Sequence, residues 1–206
     1  MHCLYAAPGS GHCYKPLLLM HQMGIPHRIE WIDVMRGENR QPPYLTLNPA
    51  GTVPFLELSC GGRVTESNAM LWALATRSDL MPRDGLATAH AVQWMIFEQT
   101  RLAPFLAPAR MYTTQLPHMT GTRAFEIDEW RAKAESGLAF VERHLTGSAF
   151  MLGEGYSIAD IALYAHLHLI DEAGIDPDRF PEIQHWCAEI AALPGHLPLE
   201  AMDRAA

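Results

Sequence analysis

The residues of this chain that could do chemistry crowd into its first third. Ser10, His12 and Cys13 stand within "GSGHCYKP", residues 9–16, directly after the strand-like run Cys3-Leu4-Tyr5-Ala6. A serine hydroxyl in such a turn can donate to an anion held at the mouth of a helix, and a cysteine there can be a nucleophile if its thiolate is favoured. Further on, Val53-Pro54 opens a second strand-like run with a proline that cannot donate to a ladder. Glu66-Ser67 then stands at the entrance of a helical run. A carboxylate beside a hydroxyl and free helix amides suits an amino-acid-like ligand, which needs an acceptor for its ammonium and donors for its carboxylate.

The rest of the composition narrows what those groups can serve. With 206 residues, 49% hydrophobic and 18% charged, the chain has the make-up of a globular protein of one or two domains. A formal charge of −8 without a basic block argues against nucleic acid or an anionic membrane surface as partner. No stretch has the length of apolar sequence that a membrane span needs, and His2, Tyr5 and Pro8 interrupt any leader-like pattern. Cys3, Cys13, Cys60 and Cys187 form no CxxC pair, so we expect free thiols and a cytoplasmic location. No histidine is followed by another three or four residues on, and no metal is expected. His166 and His168 point to different helix faces and read as surface or satisfied core residues.

The elements that must position these groups come next. After Cys3–Ala6, the run "CYKPLLLMHQMGIP" has helical spacing and stops at Gly24 and Pro26. Pro16 belongs near a first turn, so this helix is expected to begin close to Cys13. "HRIEWIDV" reads as a strand, a long polar connection follows, and Val53–Leu58 with "CGGRVTE" reads as a hairpin. Ser67 is expected to cap the helix "NAMLWALATR". The result is a small α/β unit with a mixed sheet. After "DLMPRDG" near residues 79–85 the periodicity is helical throughout, with Pro104 and Pro108 bending or breaking a long helix. "GYSIADIAL" reads as a capping box, Ser157 with Asp160, and a Tyr156–Ile161 staple whose role is folding.

In order and spacing, "LYAAPGSGHCYK", "LNPAGTVPFLEL", "TESNAMLWALA" and "SIADIALY" resemble the soluble, bacterial glutathione S-transferase family, over almost the whole chain. The resemblance implies a thioredoxin-like domain over residues 1–78 and an all-helical domain over 86–206, an α/β plus all-α fold. It implies glutathione as co-substrate, a cis Pro54, a homodimer, and a role in detoxification. Glu66 and Ser67 would hold the γ-glutamyl end, and the Val53 backbone at Pro54 would pair with the peptide. Thr52 stands where many relatives carry lysine, leaving Arg40, Arg36 or Gln41 for the glycine carboxylate. His12 stands where bacterial look-alikes carry asparagine.

The turn at Ser10 would then be a thiolate holder. A thiol of pKa ~8.5 lowered by about two units requires ~2.7 kcal/mol of preference for the anion. One hydrogen bond to a charged group contributes ~1.5–3 kcal/mol and a helix N-terminus ~0.3–1 kcal/mol, so Ser10 and the nearby amides suffice. Tyr5 is the alternative donor, and Cys13 the alternative nucleophile of a glutathione-dependent redox enzyme. The thiolate would attack a small apolar electrophile in a pocket lined by Phe105, Met111 and Tyr112, residues that equally suit plain core packing. A non-catalytic protein that binds glutathione or hydrophobic ligands would keep Glu66 and Ser67 without needing Ser10.

Overall fold

Alternation of small and branched apolar residues starts the chain as a strand, β1 (His2–Ala6), with Cys3, Leu4 and Ala6 buried. The computed structural model describes residues 1–153 and 155–204. Helix α1 (Gly11–Gln22) follows, and its apolar run Leu17–Met20 is fully buried. Strand β2 (His27–Trp31) lies parallel to β1 in the register Leu4↔Ile29. Helix α2 (Pro42–Leu47) interrupts the polar connection, and β3 (Phe55–Glu57) returns antiparallel to β1. The short β4 (Arg63–Val64) completes a mixed sheet in the order β2-β1-β3-β4, and α3 (Ser67–Ala75) packs on α1.

Three expectations change here. Helix α1 begins at Gly11 and carries Pro16 in its second turn, where proline costs only the bond to the His12 carbonyl. The connection before Val53 contains a helix because its prolines fall at the first two helical positions, where a missing N–H is no loss. The cap of α3 is Glu66, and Ser67 is the first helical residue.

The chain divides into two compact units, one from Met1 to Ser78 joined by the segment from Leu193, the other Asp79–Ala192. The boundary between the two falls between Ser78 and Asp79. Residues 205 and 206 lie outside the described residues. The returning segment crosses the end of α1 closely. A Cβ on Gly195 (φ +72) would come within 2.9 Å of Gln22 Cα, so glycine is required on both counts. The Tyr14 hydroxyl donates to the Leu197 carbonyl in the same unit.

The second unit is helical. Helix α4 (Gly85–Phe97) runs into a π-turn at Glu98–Leu102, then α5 (Ala103–Arg110) and a second π-turn at Met111–Gln115. Pro104 has no N–H to give the preceding turn, and the first π-turn widens the helix just before it. Helices α6 (Ala124–Leu145), α7 (Ile158–Leu167) and α8 (Pro181–Ala191) follow. Every residue of α7 is buried, in keeping with a sequence apolar on all sides, and α4, α5 and α8 pack against it.

Candidate functional site

The turn between β1 and α1 is built to present Ser10. Gly9 takes a left-handed conformation (φ +67), and the Ser10 amide donates to the Ala7 carbonyl at 3.3 Å. Ser10 itself is extended and caps α1. Its Oγ accepts from the Cys13 amide at 3.3 Å, and its carbonyl accepts from the Tyr14 amide at 2.9 Å. The Ser10 hydroxyl also lies within hydrogen-bond reach of the Cys13 thiol, whose anion it favours. A hydroxyl whose neighbour is a neutral thiol, a weak acceptor, can turn its proton to an anion held beside the amides of a helix start.

The two alternatives at this turn are otherwise engaged. The Tyr5 hydroxyl donates to Glu57 Oε2 at 3.2 Å, and burial, then the neighbouring Cys3 and Glu57, push the phenol up to about 12. Its ring packs against Phe55 and Tyr44. Cys13 is fully buried, and its Sγ accepts from the Ala7 amide at 3.3 Å. Burial pushes this thiol up to about 11, outweighing the Ser10 hydroxyl and the Ala7 amide, which favour the anion. A thiol so held is inert at neutral pH. Burial, and next the charge of Lys15, holds the His12 imidazole down at about 4, so it is neutral there.

The loop before β3 is tied from several sides. Thr52 offers its carbonyl to the Tyr44 hydroxyl at 2.6 Å and to Asn48 Nδ2 at 2.8 Å. Arg40 Nη1 donates to the Ala50 carbonyl at 3.4 Å, and Asn39 Nδ2 to Gly51 at 2.7 Å. A Cβ on Gly51 (φ +63) would meet Arg40 Nη1 at 2.9 Å, which is why glycine stands there. Arg40 and Thr52 therefore hold the loop itself. The Val53–Pro54 peptide is cis, and Val53 stands beyond the β1–β3 register, which ends at Tyr5↔Phe55.

At the start of α3, Glu66 is exposed and its carboxylate makes no cap bond to the helix. Ser67 beside it is 4% exposed. The next residue, Asn68, accepts a hydrogen bond at 3.0 Å from Nζ of Lys15. Lys15 is fully buried in α1, a feature the periodicity of "CYKPLLL" does not announce.

In the helical unit the three pocket candidates part company. Phe105 lines an open cleft of about 550 Å³ with Phe97, Phe140, Arg101, Lys133 and Arg143, so three cations face the space. Lys133 Nζ lies 5.6 Å from the Phe105 ring centre. Met111 and Tyr112 open the second π-turn, and Tyr112 stacks on Trp130 at 5.9 Å. The helical periodicity of "FEIDEWRAKAESGLAFVERHL" includes Trp130, but nothing in the sequence pattern announces Glu98, a buried carboxyl group whose Oε1 lies 3.4 Å from Nε2 of His166. His166 is thus a core residue beside a buried carboxyl group.

Comparison with known proteins agrees with this geometry. The description "Glutathione S-transferase, N-terminal domain" matches residues 9–77, and "Glutathione S-transferase, C-terminal domain" matches residues 124–189. A glutathione S-transferase from Pseudomonas fluorescens Pf-5 superimposes with a TM-score of 0.93 at 34% identity, over 96% of this chain and 98% of that one. The chain belongs to the glutathione S-transferase family. The disulfide-bond oxidoreductase YfcG of Escherichia coli K12 is 25% identical over 93% of this chain and 90% of its own length. A glutathione transferase homolog from Sulfitobacter with bound glutathione shares the fold, with a TM-score of 0.80 at 22% identity over 100% of this chain and 97% of that one. The thioredoxin-like N-terminal domain and the helical C-terminal region of the family are both present. Among the described residues no helix is long and apolar enough to cross a membrane.

Proposed function

We propose that this member of the glutathione S-transferase family binds glutathione in its first unit and holds the thiolate for attack on an electrophile. The observation that carries the reading is Ser10. Its hydroxyl caps α1 through the oxygen and has the weakly accepting Cys13 thiol as neighbour, so its proton can turn to a ligand, while Tyr5 donates to Glu57. Glutathione is the co-substrate, and the relative crystallised with it supports that choice. The exposed Glu66 carboxylate takes the ammonium of the γ-glutamyl end, Ser67 and the first amides of α3 take its carboxylate, and the Val53 backbone pairs with the peptide. Arg40 is the nearest candidate for the glycine carboxylate, with one of its nitrogens engaged by the loop.

The step balances simply. The thiol proton leaves to solvent as the S⁻ form gains the Ser10 hydrogen bond. The sulfur lone pair then forms a bond to the electrophilic atom while the leaving group departs with its own pair. The same thiolate would attack a disulfide sulfur and expel the other sulfur as thiolate, and the likeness to YfcG favours this second reading. That chemistry does not call on Cys13. Of the three pocket candidates, Phe105 and its cleft are assigned to the electrophile, while Met111 and Tyr112 lie outside that lining; Arg101, Lys133 and Arg143 around Phe105 suit a substrate carrying negative charge better than a purely apolar one. We read the protein as a cytoplasmic homodimer acting in detoxification, a reading in which exposed Val92 and Ile96 are covered by the second copy.

Glu66→Ala tests the binding half. Glutathione affinity by calorimetry should fall by roughly 1.5–3 kcal/mol with the unfolding midpoint unchanged, and an unaltered affinity would take Glu66 and Ser67 out of the site.

A further inference from the structure

Lysine is among the residues least often found fully buried, because its ammonium is strongly hydrated and expensive to desolvate. Lys15 has no exposed surface at all. Its Nζ donates to Asn68 Oδ1 at 3.0 Å across the packed pair α1 and α3. Asn68 is the second residue of α3, in the same turn as Ser67 and directly after the Glu66 cap. The Asn68 side chain accepts from a fixed donor on the neighbouring helix. The bond therefore joins the helix that starts at Ser10 to the helix that starts at Glu66.

The charge has a second consequence. Between residues 8 and 16 Lys15 is the one lysine or arginine, and His12 is neutral at pH 7. The field of Lys15 reaches the first turn of α1, because after burial it is the cause that holds the His12 imidazole down. A field that disfavours a cation in that turn favours an anion beside it, and in a buried setting such effects are stronger than in water.

We propose that Lys15 is a positioning residue of the glutathione site, one that pins the first turn of α3 to α1 through Asn68 and adds a fixed positive charge in support of the thiolate at Ser10. The proposal rests on the reading of Ser10, Glu66 and Ser67 given above. Lys15 touches neither substrate nor the reacting sulfur; it acts through Asn68 and through its field.

The test uses the full chain with Lys15→Met, Lys15→Arg and Asn68→Ala, each checked for folding by circular dichroism. Glutathione Kd is measured by calorimetry and the bound thiol pKa by ultraviolet titration. Lys15→Met should weaken glutathione binding about five- to tenfold and raise the bound thiol pKa by about one unit. Lys15→Arg, which keeps the charge, should bring the thiol pKa back. Asn68→Ala should weaken binding about threefold and leave the thiol pKa where it is, separating the tether from the charge. A folded Lys15→Met variant with both wild-type values overturns the proposal. If Lys15→Met fails to fold, an unchanged Kd in Asn68→Ala overturns it. Wild-type protein that binds no glutathione removes the functional reading and this proposal together, whereas wild-type binding with silent variants removes the proposal alone.

Discussion

Ser157 at the start of α7 and Ser10 at the start of α1 hold the same position on their helices but have different partners. Ser157 Oγ accepts from the Ala159 amide at 3.2 Å and donates to Asp160 Oδ2 at 2.9 Å, which also takes the Ser157 amide. Asp160 Oδ1 takes the Met151 amide at 2.8 Å and the Trp186 indole at 3.1 Å. Among the described residues, the Ser157 hydroxyl and both Asp160 oxygens are thus engaged within the protein. Ser10 accepts one amide and has a thiol, a far weaker acceptor than a carboxylate, beside its proton, and its helix begins with no acidic residue in the first turn. A capping box that closes on itself serves stability; a cap left open beside free amides serves an anion. The difference lies in the third helical position, an aspartate at Asp160 and a buried thiol at Cys13.

Breaking the closed start should cost most. Asp160→Ala leaves two buried amides, a hydroxyl and an indole without their acceptor, and we expect about 3–4 kcal/mol less stability in chemical denaturation. Ser157→Ala should lose about 1–2 kcal/mol, the ordinary worth of a cap.

The two starts should also respond to pH with opposite signs. His12 titrates near 4 in the folded chain against 6.5 when exposed, so the folded state binds fewer protons in that window. Its contribution to stability is present above pH 6.5 and is lost as pH falls towards 4. Asp160 titrates near 6 against 3.8, because burial outweighs its hydrogen bonds, so the folded state binds more protons there. Its contribution is present below pH 3.8 and is lost as pH rises through 6. Compared with wild type across pH 4–6.5, His12→Gln should be relatively more stable at the acid end, and Asp160→Asn relatively more stable at the neutral end. Denaturant midpoints at four or five pH values check both, and parallel curves for all three proteins would contradict the assignment.

The smallest effect belongs to Cys13→Ala. A buried, inert thiol contributes packing, so the rate with an aryl halide should stay within about twofold. Disulfide reductase activity that disappears with Cys13 alone would return the redox role to that residue.

The closed helix start is readable from the sequence, because capping is a local matter of residue type and spacing, whereas the sequence puts the open one close to Cys13, two residues late. The "SIAD" box, the Ser10 turn, the β3–β4 hairpin and the change to helix after "DLMPRDG" all rest on neighbours in sequence. What escaped depends on long-range burial or on proline used constructively. The pair Pro42-Pro43 falls within what reads as a long polar connection and instead opens α2. Pro104 bends its helix through a π-turn that no periodicity encodes. Glu98 and His166, or Lys15 and Asn68, meet only after folding brings distant segments together. The shift of the α3 cap from Ser67 to Glu66 is a one-residue matter, yet it frees the carboxylate assigned to the ligand.

The central claim is that the open cap at Ser10 holds a thiolate, and titration of bound glutathione by its thiolate absorbance tests it most directly. Wild type should show a bound thiol pKa about two units below the free value of ~8.5. In Ser10→Ala it should rise by about one to two units while glutathione Kd changes far less, with the conjugation rate at neutral pH down about ten- to a hundredfold and partly restored at alkaline pH. The Tyr5→Phe variant should titrate as wild type does. A Ser10→Ala protein whose bound thiol still ionises at the wild-type pH, or a shift confined to Tyr5→Phe, would contradict the account.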